Sequence, residues 1–180
     1  MTENERPWST TIRLDEVGET GRHVELEVNE AVRVALAKPA GVDAIERLVA
    51  RFDLTWRGPD HLRVSGEVSG TVRQTCVVTL DPVVNDIHEA IDLTFAPPRE
   101  PTGETADIDI DAIPSGGEIE PLLGNAVDLG VLATEFFVLG IDPYPRKPDA
   151  AFDAPKAADD PASHPFAGLA ALQKNSTVKK

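Results

Sequence analysis

Residues His61–Cys76 alternate more strictly than any other stretch of this sequence, and that alternation limits what the chain can become. Leu62, Val64, Gly66, Val68, Gly70, Val72 and Cys76 fall on one face, interrupted by Gln74. His61, Arg63, Ser65, Glu67, Ser69, Thr71, Arg73 and Thr75 fall on the other. A period of two belongs to a half-buried strand, because successive side chains point to opposite faces of a sheet. Gly66 and Gly70 sit on the apolar face, where a missing side chain marks a bulge, a bend or the close approach of another backbone. Shorter alternating runs flank this strand, with Phe52, Leu54 and Trp56 before it and Val83, Ile87, Ile91, Leu93 and Phe95 after it. Gly58-Pro59-Asp60 and Leu80-Asp81-Pro82 carry turn chemistry between them. The pattern predicts a three-stranded antiparallel meander over Arg51–Phe95.

The remaining segments attach to that meander. Trp8–Leu14 and Val24–Val28 alternate and predict two further strands, joined by the glycine-bearing connector Asp15–Gly21. Asn29 is placed to cap a helix running to Lys38, and Asp43 to cap a second over Ala44–Arg51, with Ile45, Leu48, Val49 and Phe52 on one side. Asp107–Ile113 alternates and predicts an edge strand, its aspartates discouraging further pairing. Ala126–Leu139 is the strongest helical pattern, with Gly140 where a C-terminal cap belongs. From Arg146 to Ser163 Ala, Asp, Pro and Lys dominate, the composition of a linker, and Phe166, Leu169 and Leu172 then form a short apolar motif. The expected architecture is α+β. It has a twisted antiparallel sheet of about five or six strands, with twist that allows a barrel-like closure, short helices and a C-terminal covering helix. Residues 1–145 form the globular domain, and 146–180 a disordered linker and tail.

Charge narrows the function classes. The chain of 180 residues carries a net charge of −14. Nucleic-acid binders draw most of their sequence-independent affinity from basic patches, so RNA contact here requires locally concentrated arginines. An acidic surface favours basic partners and also keeps a protein soluble. The single cysteine excludes an internal disulfide and a cysteine-based metal cluster. No apolar run reaches the ~20 residues a membrane span needs, and the first residues lack a basic-then-apolar signal layout. A cytoplasmic location is expected.

The run Val64–Val83, a glycine-spaced strand followed by Cys76 and then Leu80-Asp81-Pro82-Val83, resembles the central motif of the YceD family, the large ribosomal RNA accumulation proteins of bacteria. Val127–Phe136, Asp142–Arg146 and His164–Leu172 are also similar to that family, in the right order. The resemblance implies a non-enzymatic factor in large-subunit biogenesis, needed for accumulation of 23S ribosomal RNA. Many members carry a second Cys where this chain has Thr79, and an Arg where it has Val78, so a two-cysteine site is unavailable here.

The candidate sites follow. Arg57, Arg63 and Arg73 share the outward register of adjacent strands, so they could meet on one open face as a phosphate or RNA contact. Asp53, Glu67, Asp86 and Asp92 share that register, and cross-strand ion pairing is the competing expectation. Cys76 continues the apolar face and reads as a buried, structural thiol. Phe166, Leu169 and Leu172 would dock on a partner or on their own domain. Asp107, Asp109, Asp111 and Glu118 match calcium-loop spacing, but Ala112 stands where glycine is needed and Pro114 interrupts the loop. His23, His61 and His88 have no inferable nucleophile beside them, and phosphate-loop and dinucleotide motifs are absent. No catalytic residue, cofactor, metal or small-molecule substrate is expected. The partner is either 23S precursor RNA or a basic large-subunit ribosomal protein.

Overall fold

The structure, a computed structural model, describes residues 7–98, 118–122 and 124–152. The chain divides into two units, Met1–Pro148 and Asp149–Lys180. In the second, only residues 149–152 are described, and they form no helix or strand. The expected strand at Asp107–Ile113 and the motif Phe166–Leu172 lie outside the described residues.

In the first unit the long alternating run becomes β4, Leu62–Thr75, the middle strand of a five-stranded sheet. β5 (Pro82–Ala96) flanks it antiparallel along its whole length, and β3 (Ala44–Trp56) flanks it antiparallel over Leu62–Arg73, with one register shift between Ile45 and Arg47. β2 (Arg22–Glu27) adds antiparallel to β3, and β6 (Glu118–Pro121) adds parallel to β5, giving the order β2-β3-β4-β5-β6. β1 (Thr11–Arg13) and β7 (Ala126–Asp128) pair antiparallel as a separate two-stranded sheet. α1 spans Glu30–Ala37 and α2 spans Leu129–Leu139. Leu48, Phe52 and Leu54 of β3, Leu62, Val64, Val68 and Val72 of β4, and Ile87 and Ile91 of β5 form one apolar face. Phe137, Leu129 and Ala133 of α2 pack against it.

The two strand glycines are explained by what approaches them. A Cβ at Gly70 would stand 2.7 Å from the Phe137 ring and would also meet the Arg47 carbonyl oxygen. A Cβ at Gly66 would run into the Arg51 carbonyl on the neighbouring strand. The first glycine lets the covering helix sit close, and the second lets β3 and β4 coil together. Gln74, the polar break in the apolar face, is 5% exposed, with both ends of its amide bonded. Its amide donates to the Asp142 carbonyl at 2.8 Å and its oxygen accepts from Asn85 at 2.9 Å. It ties β4 and β5 to the segment that follows α2.

Four expectations need correction. The sheet does not close into a barrel: closure needs its two edges to pair, and here β2 and the short, parallel β6 end the order while α2 covers the apolar face. Ala44–Arg51 is strand, not helix. A register shift between Ile45 and Arg47 displaces the alternation, so Ile45 and Leu48 lie buried with two exposed residues between them. That spacing imitates a helical face, and the long β4 template overrides a weak local preference. Ala126–Asp128 is the strand β7, and α2 begins only at Leu129, where Asp128 caps it. Trp8–Leu14 yields a three-residue strand, after which Leu14–Glu16 makes a single 3-10 turn. The first helix forms as expected, with the Asn29 side chain accepting from the Val32 N–H at 3.0 Å.

Candidate functional site

The sheet face opposite α2 carries the polar half of β4 and was the expected contact surface. Its charges form rows across the strands. Arg51 of β3 reaches Glu25 of β2 at 3.0 Å and Glu67 of β4 at 3.3 Å, and His88 of β5 lies 3.5 Å from the same Glu67. In the next row His23 Nδ1 lies 2.8 Å from Asp53. Arg63 holds Asp92 of β5 through two bonds of 2.7 and 2.8 Å. That bidentate bond first, and then the charges of Arg63 and Arg57, hold the Asp92 carboxyl below the usual carboxylate range. Thr71 donates to Asp86 at 2.7 Å, and Arg73 lies 3.5 Å from Glu46.

The three candidate arginines do not converge. Arg63 and Arg73 stand ten positions apart on one strand, at most roughly 33 Å at the rise of an extended chain. Arg57 lies just beyond the end of β3, exposed, near the Asp92 end and without an ion pair among the described residues. Arg51 is the basic group at the centre of the face. Arg51 stands where the predicted helix Ala44–Arg51 meets the predicted meander Arg51–Phe95, so the sequence assigns it no clear face. The cross-strand pattern offered the signal, since Glu25, Arg51 and Glu67 occupy one register row.

Cys76 follows β4 directly and is fully buried. Its N–H donates to the Asp81 carbonyl at 2.8 Å and its carbonyl accepts from Leu80 at 3.0 Å, closing a tight turn with Leu80 in the left-handed region. The Thr79 N–H points at the sulfur from 3.5 Å. Hydrogen bonding from the Thr79 side chain, then from the N–H groups of Thr79 and Lys147, outweighs burial and lowers the thiol to about 6. The position that holds a second Cys in the resembled family thus supplies donors to the first. Behind this turn, Val77 donates to the Pro145 carbonyl at 2.9 Å and Lys147 pairs with Asp81 at 3.0 Å.

No group of acidic, His or Cys side chains among the described residues is arranged to hold a metal, and no described helix is long and apolar enough to cross a membrane. A family model described as "Large ribosomal RNA subunit accumulation protein YceD" matches residues 64–173. No curated protein and no solved structure matches the chain.

Proposed function

The chain belongs to the YceD family of large ribosomal RNA subunit accumulation proteins, and from that membership we propose that it supports 23S RNA accumulation without catalysis, by holding a basic large-subunit ribosomal protein. One observation carries the choice of partner. Three arginines of the open sheet face, Arg51, Arg63 and Arg73, each lie against a carboxylate, in a protein whose net charge is −14, while Arg47, exposed in the outward register opposite Thr71, has no ion pair among the described residues. A guanidinium beside a carboxylate already has its charge offset and offers a phosphate less attraction, and the surrounding field repels RNA. A basic protein meets the same field as an attraction.

RNA contact is the second reading, supported by Arg57, which is exposed beside Arg63. The two separate in one titration series, with the tagged full chain mixed with nuclease-treated large-subunit proteins or with protein-free 23S RNA at graded salt. Retention of a basic ribosomal protein that weakens as salt rises, with little RNA bound, is the expected result. Tight RNA binding whose salt slope flattens when Arg57, Arg63 and Arg73 are replaced together would reverse the assignment.

A further inference from the structure

A groove of about 490 Å³ runs between α2 and the β5–β6 edge, on the side of the sheet away from the arginine rows. Its floor is apolar, with Phe95, Leu122 and Phe136 only partly buried, and at its lip Leu139 is 79% exposed. Among the described residues, the charged side chains that line it are all carboxylates: Glu120, Glu135, and Asp128 at its inner end. We propose that this groove is where the partner docks, and that the occupant is an amphipathic helix with lysine or arginine flanking its apolar face. The proposal rests on the reading of the chain as a holder of a basic protein and says where the holding occurs.

Three alternative occupants meet an obstacle in the groove. A second copy of the chain, packed symmetrically, would bring the same carboxylates against Glu120 and Glu135. Nucleic acid would meet carboxylates without a cation among the described lining residues. Among the described residues, an added β-strand would find only the four of β6, one of them Pro121 with no N–H to offer. A helix, by contrast, finds a wall of its own kind. Val131, Glu135 and Leu139 of α2 recur every fourth residue and form a ridge for helix packing.

The test uses the full chain and a defined probe, a peptide of about 14 residues (~21 Å of helix) with Leu at i, i+3, i+4 and i+7 and Lys elsewhere. A counterpart has Glu in place of every Lys. The Lys peptide is expected to bind and the Glu peptide not to. The double reversal Glu120→Lys/Glu135→Lys should weaken binding roughly tenfold or more. Leu139→Ser should also weaken it without shifting the melting curve. Glu19→Lys/Glu27→Lys, the same change of charge on exposed residues elsewhere, should change affinity less than about twofold, because long-range charge is screened within ~10 Å. Equal loss from both reversals would mean attraction to the whole surface and would overturn the site, as would equal binding of the two peptides. Concentration-dependent self-association abolished by Leu139→Ser would show that a second copy is the occupant and overturn the proposal. Ribosomal proteins that bind the chain but ignore the Glu120/Glu135 reversal would remove the groove and leave the protein-partner reading standing. Failure of ribosomal proteins to bind while 23S RNA does would remove that reading itself.

Discussion

Gly70 shows how much one missing side chain decides. The Phe137 ring occupies the space a Cβ would need, and the Arg47 carbonyl closes the other side. Gly70→Ala should therefore destabilise the fold by about 1–3 kcal/mol, the usual cost of overpacking a core. Gly18, with nothing near the added atom and no positive φ, is the control. Its change to Ala should be neutral or stabilising by up to about 1 kcal/mol, since it restricts the unfolded chain. Urea unfolding of both variants checks the contrast. Cys76 gives a prediction in pH. Its thiol falls from 9.0 to about 6 in the fold, so the folded state holds the thiolate before the unfolded state does. That stabilisation is absent below pH 6, grows through the interval and is complete above 9. The stability difference between the native protein and Cys76→Ser should accordingly widen from pH 6 to 9 in paired unfolding titrations. A flat difference would mean that the turn does not favour the thiolate.

Among the elements, α2 depends on a residue that lies outside it. Asp128 accepts from the Gly130 and Val131 N–H groups at 3.1 and 3.2 Å, which caps the helix. It also accepts from the Thr10 N–H at 2.9 Å and the Ser9 hydroxyl at 2.6 Å, which locks the chain before β1. Gly130 permits this approach, because a Cβ there would stand 2.9 Å from the Thr10 nitrogen. Loss of a cap alone costs about 0.5–2 kcal/mol, and Asp128→Ala also strands the Thr10 donor. We expect a loss of at least ~2 kcal/mol for Ala and a smaller one for Asn, which keeps an acceptor oxygen. Thermal melts of the two variants measure this. β3 makes a different point about elements. Its bulge near Glu46 imitates a helical pattern in sequence, and only the neighbouring strand shows that it is extended.

At the scale of the whole molecule, the boundary of the folded unit follows from contacts rather than composition. Composition turns linker-like at Arg146, yet Pro145 is buried and accepts from Val77, and Lys147 pairs with Asp81. A chain ending at Pro148, the end of the first unit, should melt with the full-length protein. One ending at Tyr144 loses the Val77 bond, worth about 1 kcal/mol, and should melt about 2–4 °C lower. Differential scanning calorimetry of the two truncations decides, and equal melting would show that the segment after Tyr144 adds nothing to the fold.

Local pattern is enough to dictate the meander, because a period of two over fourteen residues of β4 admits one way of burying an apolar face. It also determined the first helix, through the Asn29 cap, and the body of α2, through its apolar spacing. The tertiary structure decided what depends on a neighbour. β4 made Ala44–Arg51 a strand, β1 drew Ala126–Asp128 into pairing, and α2 took the face that a barrel would have closed over. The candidate site divides in the same way. Outward register was legible for Arg63 and Arg73, since alternation assigns faces. Their separation, their engagement with Asp92 and Glu46, and the central place of Arg51 were not, because alternation does not specify which residue stands opposite across a strand pair.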